Sequence, residues 1–401
     1  MRRYTDILAD CNYYLFLAVV ALLPFPQIFL RYACVLWFVA WVLEGRWLRK
    51  TNFQSPISNF QSAIPFLLFG FWYGWKLLSG LWAADTTEWA AQMERYISFG
   101  VMVPVGIWGL NDRYDWRQAG KVFVISCVCS AFFYPLLLTV LLYHREIIDA
   151  THWVANWDYS SSEWFYFYQT NLSHVKYRLI MCSVEIMGII IATRLWFREH
   201  RWLWSIVTVL LSASILLSGS RQALVSLILI TVIALGFLLS QHLKWYYTAS
   251  ILAATLLTGG LLLSLHPRFH AMDIHSEERV QIWKAALQHS TEYVWKGFGG
   301  GQDGVQLMRT HSHNQYLQEL REGGIIGLAF FLLAWAAVPL CAPKKQKKLA
   351  ILFTVMFACN MCTECMFAKY CGVALWSVGL IFVLLQSDTA GQQQSARRTE
   401  T

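Results

Sequence analysis

The sequence is dominated by stretches of about 20 mostly apolar residues, the length an α-helix needs to cross a bilayer core roughly 30 Å thick. They fall near 12–26, 29–44, 63–83, 96–110, 120–143, 175–195, 202–218, 222–241, 245–265, 324–342, 348–366 and 370–386. A backbone in hydrocarbon finds no water to bond, so such spans must be helices that satisfy their own amides. The expected fold is therefore all-α, a polytopic transmembrane helical bundle of about 12 spans. Only 14% of residues are charged and 57% are hydrophobic, whereas soluble domains carry about a quarter charged residues. Many of the 20 Trp lie near the ends of the apolar runs, where an indole can be half buried and still wet.

The formal charge of +8 raises the question of nucleic acid. The basic residues, however, sit in short clusters between apolar runs, and no nucleic-acid partner is expected. They occupy alternate connections: Arg2 and Arg3; Arg46, Arg49 and Lys50; Arg113, Arg117 and Lys121; Arg194, Arg198 and Arg201; Lys244; Lys344, Lys345, Lys347 and Lys348; Arg397 and Arg398. By the positive-inside rule these loops and both termini are cytoplasmic. No small-residue cleavage pattern follows the first run, so that run is expected to stay as an anchor. The expected organisation is spans 1–9 within 1–265, an outer-face loop carrying short amphipathic helices at 266–323, spans 10–12 within 324–386, and a disordered cytoplasmic tail at 387–401.

Cys359, Cys362 and Cys365 have a spacing that metal sites use. They lie at the end of an apolar run with no His among them, so neither a metal nor a cofactor is expected.

Three features share the outer face: the turn Ser218-Gly219-Ser220-Arg221, the segment 142–174, and the loop 266–323. In the loop, Ser276 reads as an N-cap with Glu277 and Glu278 in the first turn. Val280, Trp283 and Leu287 then form the apolar face of an interfacial helix, with Arg279 beside Trp283. Gly297-Phe298-Gly299-Gly300-Gly301 would let amides crowd around an anion, or serve as a plain turn. Ser312 and Gln315 have capping-box spacing. On that reading His313 sits in the first turn of a helix that Gly323-Gly324 ends, with Leu317 and Leu320 packing down. The helix dipole would keep His313 neutral and able to accept a proton, although a histidine that merely helps cap the helix fits the spacing as well. Arg221 opens a span as either a phosphate fork or a snorkelling anchor. Arg178, Lys176 and His174 add positive charge to the same face, or anchor it.

Taken together, His311-Ser312-His313-Asn314, nine residues, Gly324, two residues and Gly327-Leu328 resemble the signature of the O-antigen ligase and polymerase superfamily of bacterial membrane glycosyltransferases. Arg279-x-x-x-Trp283 followed by Gly297-x-Gly299 is similar to a second block of that superfamily, and Ser220-Arg221 to a third. Tyr293-Val294-Trp295-Lys296 stands where the superfamily often has Pro, and Val225 replaces a Leu. The resemblance implies an inverting, metal-independent glycosyltransferase of the bacterial inner membrane with a periplasmic active site. Its donor would be a glycan on undecaprenyl diphosphate. Its acceptor would be the lipid A-core oligosaccharide for a ligase, the preferred reading, or a second lipid-linked glycan for a polymerase. By motif, His313 would be catalytic and Arg221 and Arg279 would hold the diphosphate. His311, Arg178, Lys176, Gly299 and Gly301 would support them, in contact with membrane lipids.

A transporter or flippase is the rival from another class; it predicts charges deep within spans, and Glu185 is a candidate. A membrane scaffold would have no use for the His313 block.

Overall fold

The computed structural model describes residues 2–45, 60–144, 178–197, 200–265, 274–291, 293–300 and 312–385. Its helices are α1 (Arg2–Leu22), α2 (Gln27–Glu44), α3 (Phe60–Leu78), α4 (Thr86–Arg95), α5 (Ile97–Trp108), α6 (Trp116–His144) and α7 (Arg178–Trp196). They continue with α8 (Arg201–Ser218), α9 (Arg221–Leu239), α10 (Trp245–Leu265), α11 (Ile274–Ser290), α12 (Gln315–Cys341), α13 (Lys347–Met361) and α14 (Tyr370–Leu384). Each apolar stretch read from the sequence coincides with one of them. Among the described residues, seven helices are long and apolar enough to cross a membrane, and α5 and α14 are shorter apolar helices.

Burial sorts the helices. Every residue of α14 is buried, and α7 is enclosed along most of its length. α10 turns Leu257, Leu261 and Leu262 outward instead, as a helix against lipid does. Trp376 anchors the centre, stacked on Phe353 at 4.8 Å between centroids and edge-on to Phe357 at 4.7 Å.

The connections gather at two ends of the bundle. At one end Arg31 reaches Glu94 (3.4 Å), Lys76 reaches Glu322 (2.8 Å) and Asn314 reaches the Cys362 carbonyl (2.9 Å). At the other, Asn111 reaches Glu44 (3.0 Å), Arg113 reaches Asp6 (3.3 Å) and Lys348 reaches the Phe237 carbonyl (3.5 Å). The described connections thus fall at one end or the other in alternation, and α5 runs from the first set to the second.

Two local expectations change. Ser276 is not an N-cap, because α11 already includes it, two residues after Ile274. The face of α11 that packs on the protein is Ile282, Ala286 and Ser290, while Val280 and Leu287 stay exposed. Periodicity finds an apolar stripe, but in a membrane protein it does not say whether that stripe meets protein or lipid. Lys176, His174, Gly301, His311, the segment 145–177 and the tail from 386 lie outside the described residues, as does the side chain of Arg178.

Candidate active site

The site is organised by a break in α12. Gly324 adopts φ 64°, ψ −166° inside an otherwise continuous helix, a conformation that glycine reaches without a Cβ penalty. The Gly323-Gly324 pair thus interrupts the helix where the sequence indicates. Such a break strands backbone groups that must find partners. The segment 293–299 supplies them: the amides of Phe298 and Gly299 donate to the carbonyls of Arg321 and Glu322, both at 3.1 Å. In return the amides of Ile325 and Ile326 donate to the carbonyls of Val294 (2.8 Å) and Trp295 (3.3 Å).

The two backbones touch. A Cβ on Gly324 would lie 2.3 Å from the Trp295 oxygen, and one on Gly297 would lie 2.3 Å from the Glu322 oxygen. The Gly297-Phe298-Gly299 block thus serves close approach, and the Gly299 amide is committed to Glu322. The Tyr293–Lys296 stretch, where the sequence departs from the superfamily, forms the other half of this joint.

Ahead of the break, α12 hides its polar face. Gln315, Gln318, Glu319 and Glu322 recur at helical spacing and are all buried, as is Arg321, whose guanidinium lies 5.1 Å from the Phe298 ring centre. Leu317 and Leu320, expected to pack inward, are only half-buried. The stripe is buried because a cation meets it: Lys76, near the end of α3 and wholly enclosed, sits 2.9 Å from Glu319 and 2.8 Å from Glu322. Trp72 donates to Glu319 (2.9 Å), Gln92 of α4 donates to Glu322 (2.8 Å), and Trp75 donates to the Gly323 carbonyl (2.9 Å). A buried charge left without a counter-charge is costly, and here the charges answer one another.

His313 stands just before this helix. The cap is Asn314, whose side chain accepts from the Leu317 amide at 3.1 Å, and not Ser312 as the capping-box spacing indicates. His313 is consequently outside the first turn, and its φ of 49° makes it the one non-glycine residue in the left-handed region among the described residues. Such conformations cost on the order of 1–3 kcal/mol and persist where neighbours over-determine them, often at functional sites. The neighbours here are firm. Trp283 of α11 donates to the Ser312 carbonyl (2.9 Å), and the Asn314 amide group donates to the Cys362 carbonyl (2.9 Å). His313 Nδ1 lies 3.3 Å from the Glu364 carboxylate, both side chains partly open to the outside.

The other motif residues attach to the same place. Ser220 caps α9, accepting from the Ala223 amide at 3.4 Å, so that Arg221 opens the helix. Its neighbour Gln222 donates to the Cys359 thiol at 3.1 Å, three residues before the Cys362 carbonyl that holds Asn314. Arg279 is half-buried and lies one turn before Trp283, whose indole holds Ser312. The blocks carrying Arg221, Arg279 and His313 are therefore tied to one end of the bundle. The cysteines take part as small polar groups: Cys362 donates to the Ala358 carbonyl (3.3 Å), and Cys365 lies 3.7 Å from the Ser312 hydroxyl. Burial pushes the Cys365 thiol up to about 12, so it stays protonated.

Sequence reasoning missed Lys76, Glu319, Glu322 and Glu364. Glu364 is the one acidic residue between Glu322 and Asp388. The polar stripe of α12 opens an apolar run, where a purely lipid-facing helix would carry none. Both signals were in the sequence. Glu185 is buried within α7 and accepts from Ser214 at 3.0 Å, two residues from Ser183, which accepts from Asn360 (2.8 Å) beside Cys359.

These features define a multi-pass helical membrane protein with a broken helix and a histidine–carboxylate pair at one end. Residues 206–332 match the model of the O-antigen ligase family, which supports the superfamily that the motifs resemble. Arg221, Arg279 and His313 all fall inside the matched stretch. No curated protein matches the chain.

Proposed function

We propose that the chain is an O-antigen ligase that transfers a glycan from undecaprenyl diphosphate to a sugar hydroxyl of the lipid A core at the periplasmic face of the inner membrane. The observation that carries this reading is the His313–Glu364 pair, held on a strained turn to which the Arg221 and Arg279 blocks are fastened. If Glu364 accepts the Nδ1–H, Nε2 carries the lone pair, and the carboxylate fixes the tautomer and the orientation of the ring. Nε2 takes the proton of the acceptor hydroxyl as that oxygen attacks the anomeric carbon from the face opposite the diphosphate. The bond from the anomeric carbon to the phosphate oxygen breaks, and undecaprenyl diphosphate leaves with inversion. Arg221 and Arg279 are suited to the charge that develops on the leaving oxygens. Since the leaving group is already good, neither a metal nor a second carboxylate is needed. Both termini would lie in the cytoplasm, as the basic loops indicate.

The reading is tested by lipopolysaccharide profiles of a deletion strain complemented at matched expression. The deletion should leave bare core while lipid-linked polymer of normal length accumulates, and neither His313→Ala nor Arg279→Ala should restore capping. Glu364→Gln should lower the transfer rate about 100-fold with little change in donor KM, because it removes the orienting charge but not the donor site. Core bearing a single repeat unit would identify a polymerase instead. Full rescue by His313→Ala would sink the catalytic assignment under either name.

A further inference from the structure

The buried stripe of α12 has a second end. Lys76 holds Glu319 and Glu322, and each glutamate is relayed by a glutamine to a segment that flanks the histidine pair. Gln315 Nε2 donates to Glu319 (2.8 Å), while its Oε1 accepts from the Phe367 amide (3.0 Å), in the turn that carries Glu364. Gln318 Nε2 donates to Glu322, while its Oε1 accepts from the Ser312 amide (3.0 Å) and lies 3.1 Å from the Ser312 hydroxyl, beside His313.

We infer that Gln318 is a positioning residue for His313, coupling the left-handed turn to the charged cluster around Lys76. This rests on the reading of His313 as the base. The chemistry required at 318 is narrow: one side must accept from the Ser312 amide and the other must donate to a carboxylate. An amide of glutamine length does both. Methionine does neither. An ionised glutamate can accept but faces Glu322 with a like charge, whereas a protonated glutamate regains the donor. The charged and titratable groups around it are Lys76 of α3, Tyr96 between α4 and α5, Glu319, Arg321 and Glu322 of α12, and His313, Glu364 and Cys365 of the flanking turns. Burial and the Glu322 charge push a new carboxyl above its ordinary value, against the opposing pull of Lys76 and Arg321. The neutral, functional form therefore grows in as pH falls.

The test uses the full-length chain in lipid nanodiscs. Transfer rates from an undecaprenyl-diphosphate-linked glycan are measured between about pH 9 and pH 6, a range that spans a buried carboxyl raised from its usual value near 4.3. Binding of undecaprenyl diphosphate alone is measured in parallel. Gln318→Met should lose roughly 10- to 100-fold in rate at every pH, part of what general base catalysis supplies, with undecaprenyl diphosphate binding retained. Gln318→Glu should be impaired at high pH, its rate relative to the unsubstituted chain rising as pH falls, or should match that chain throughout if it stays protonated. A Gln318→Met protein with the unsubstituted rate overturns the inference. So does an equal, pH-independent loss in both variants, which marks a merely structural role. If the unsubstituted chain transfers no glycan, the reading of the activity has failed, and the positioning claim is judged separately. In that case the His313 ring resonance in isotope-labelled protein, assigned by its loss in His313→Ala, should move in Gln318→Met, and an unmoved resonance overturns the inference.

Discussion

The two ends of α5 each bury a polar cluster, and the clusters differ in kind. At the end away from His313, the contacts of Glu44 include two neutral donors, Asn12 (2.7 Å) and Asn111 (3.0 Å). Tyr114 then bonds Asn12 (2.8 Å) and receives Trp37 (2.9 Å). At the His313 end, Lys76 is held between Glu319 and Glu322 with Arg321 alongside. The first cluster joins α1, α2 and the turn after α5, and an amide in place of the carboxylate keeps an acceptor for both asparagines. In the second, several charges depend on one another, and the same groups brace a broken helix and the turn that carries His313. A dense set of buried charges is retained where a strained arrangement has to be held in one position.

The comparison breaks first at Lys76. Lys76→Met leaves two buried carboxylates without their cation, a loss of about 3–5 kcal/mol. Thermal unfolding in detergent should show it as a large fall in midpoint, or as failure to accumulate in the membrane. Next in size is Gly324→Ala, where a Cβ meets the Trp295 carbonyl and φ is positive. A cost of about 1–3 kcal/mol is expected from backbone strain, with glycan transfer lost. Gly74→Ala, on α3 with open space around it, should be neutral or slightly stabilising in the same assay. At the other end, Glu44→Gln should cost no more than about 1 kcal/mol, since the amide oxygen still accepts. It should leave transfer untouched; a loss as large as that of Lys76→Met would erase the distinction between the clusters. The smallest effect concerns Cys365. Its folded-state thiol is raised above the value it has when unfolded, so the unfolded chain releases the proton first and native stability falls as pH rises above about 9. Cys365→Ala should remove that part of the alkaline decline, seen as a flatter unfolding midpoint between about pH 9 and pH 11.

Much of this arrangement is legible in the sequence, and the limits have physical causes. Apolar runs mark helices because a bilayer forbids anything else, and Gly323-Gly324 marks the break because few residues tolerate that backbone. The Arg221, Arg279 and His313 blocks announce themselves as motifs, and the contacts of Gln222, Trp283 and Asn314 bring the blocks together. The cap fails because Ser312 and Asn314 are both good cap residues two positions apart, and only the tertiary contacts to Gln318 and Cys362 decide between them. The inward polar face fails for a different reason: whether Glu319 and Glu322 meet water or a lysine depends on Lys76, which no local pattern links to them.

That separation matters to a chain made from one end. Lys76 and Glu322 are 246 residues apart. At roughly 5–20 residues per second a ribosome needs about 12–50 s to cover the interval. Throughout it α3 carries an ammonium group whose partners do not yet exist. Lys76 lies two residues from the end of α3, where a long side chain can reach past the helix end to water. Burial of that lysine is thus among the last events of assembly, completed when α12 arrives. A nascent chain halted before residue 319 should still display the Lys76 amine to a water-soluble acylating reagent, and the finished protein should conceal it.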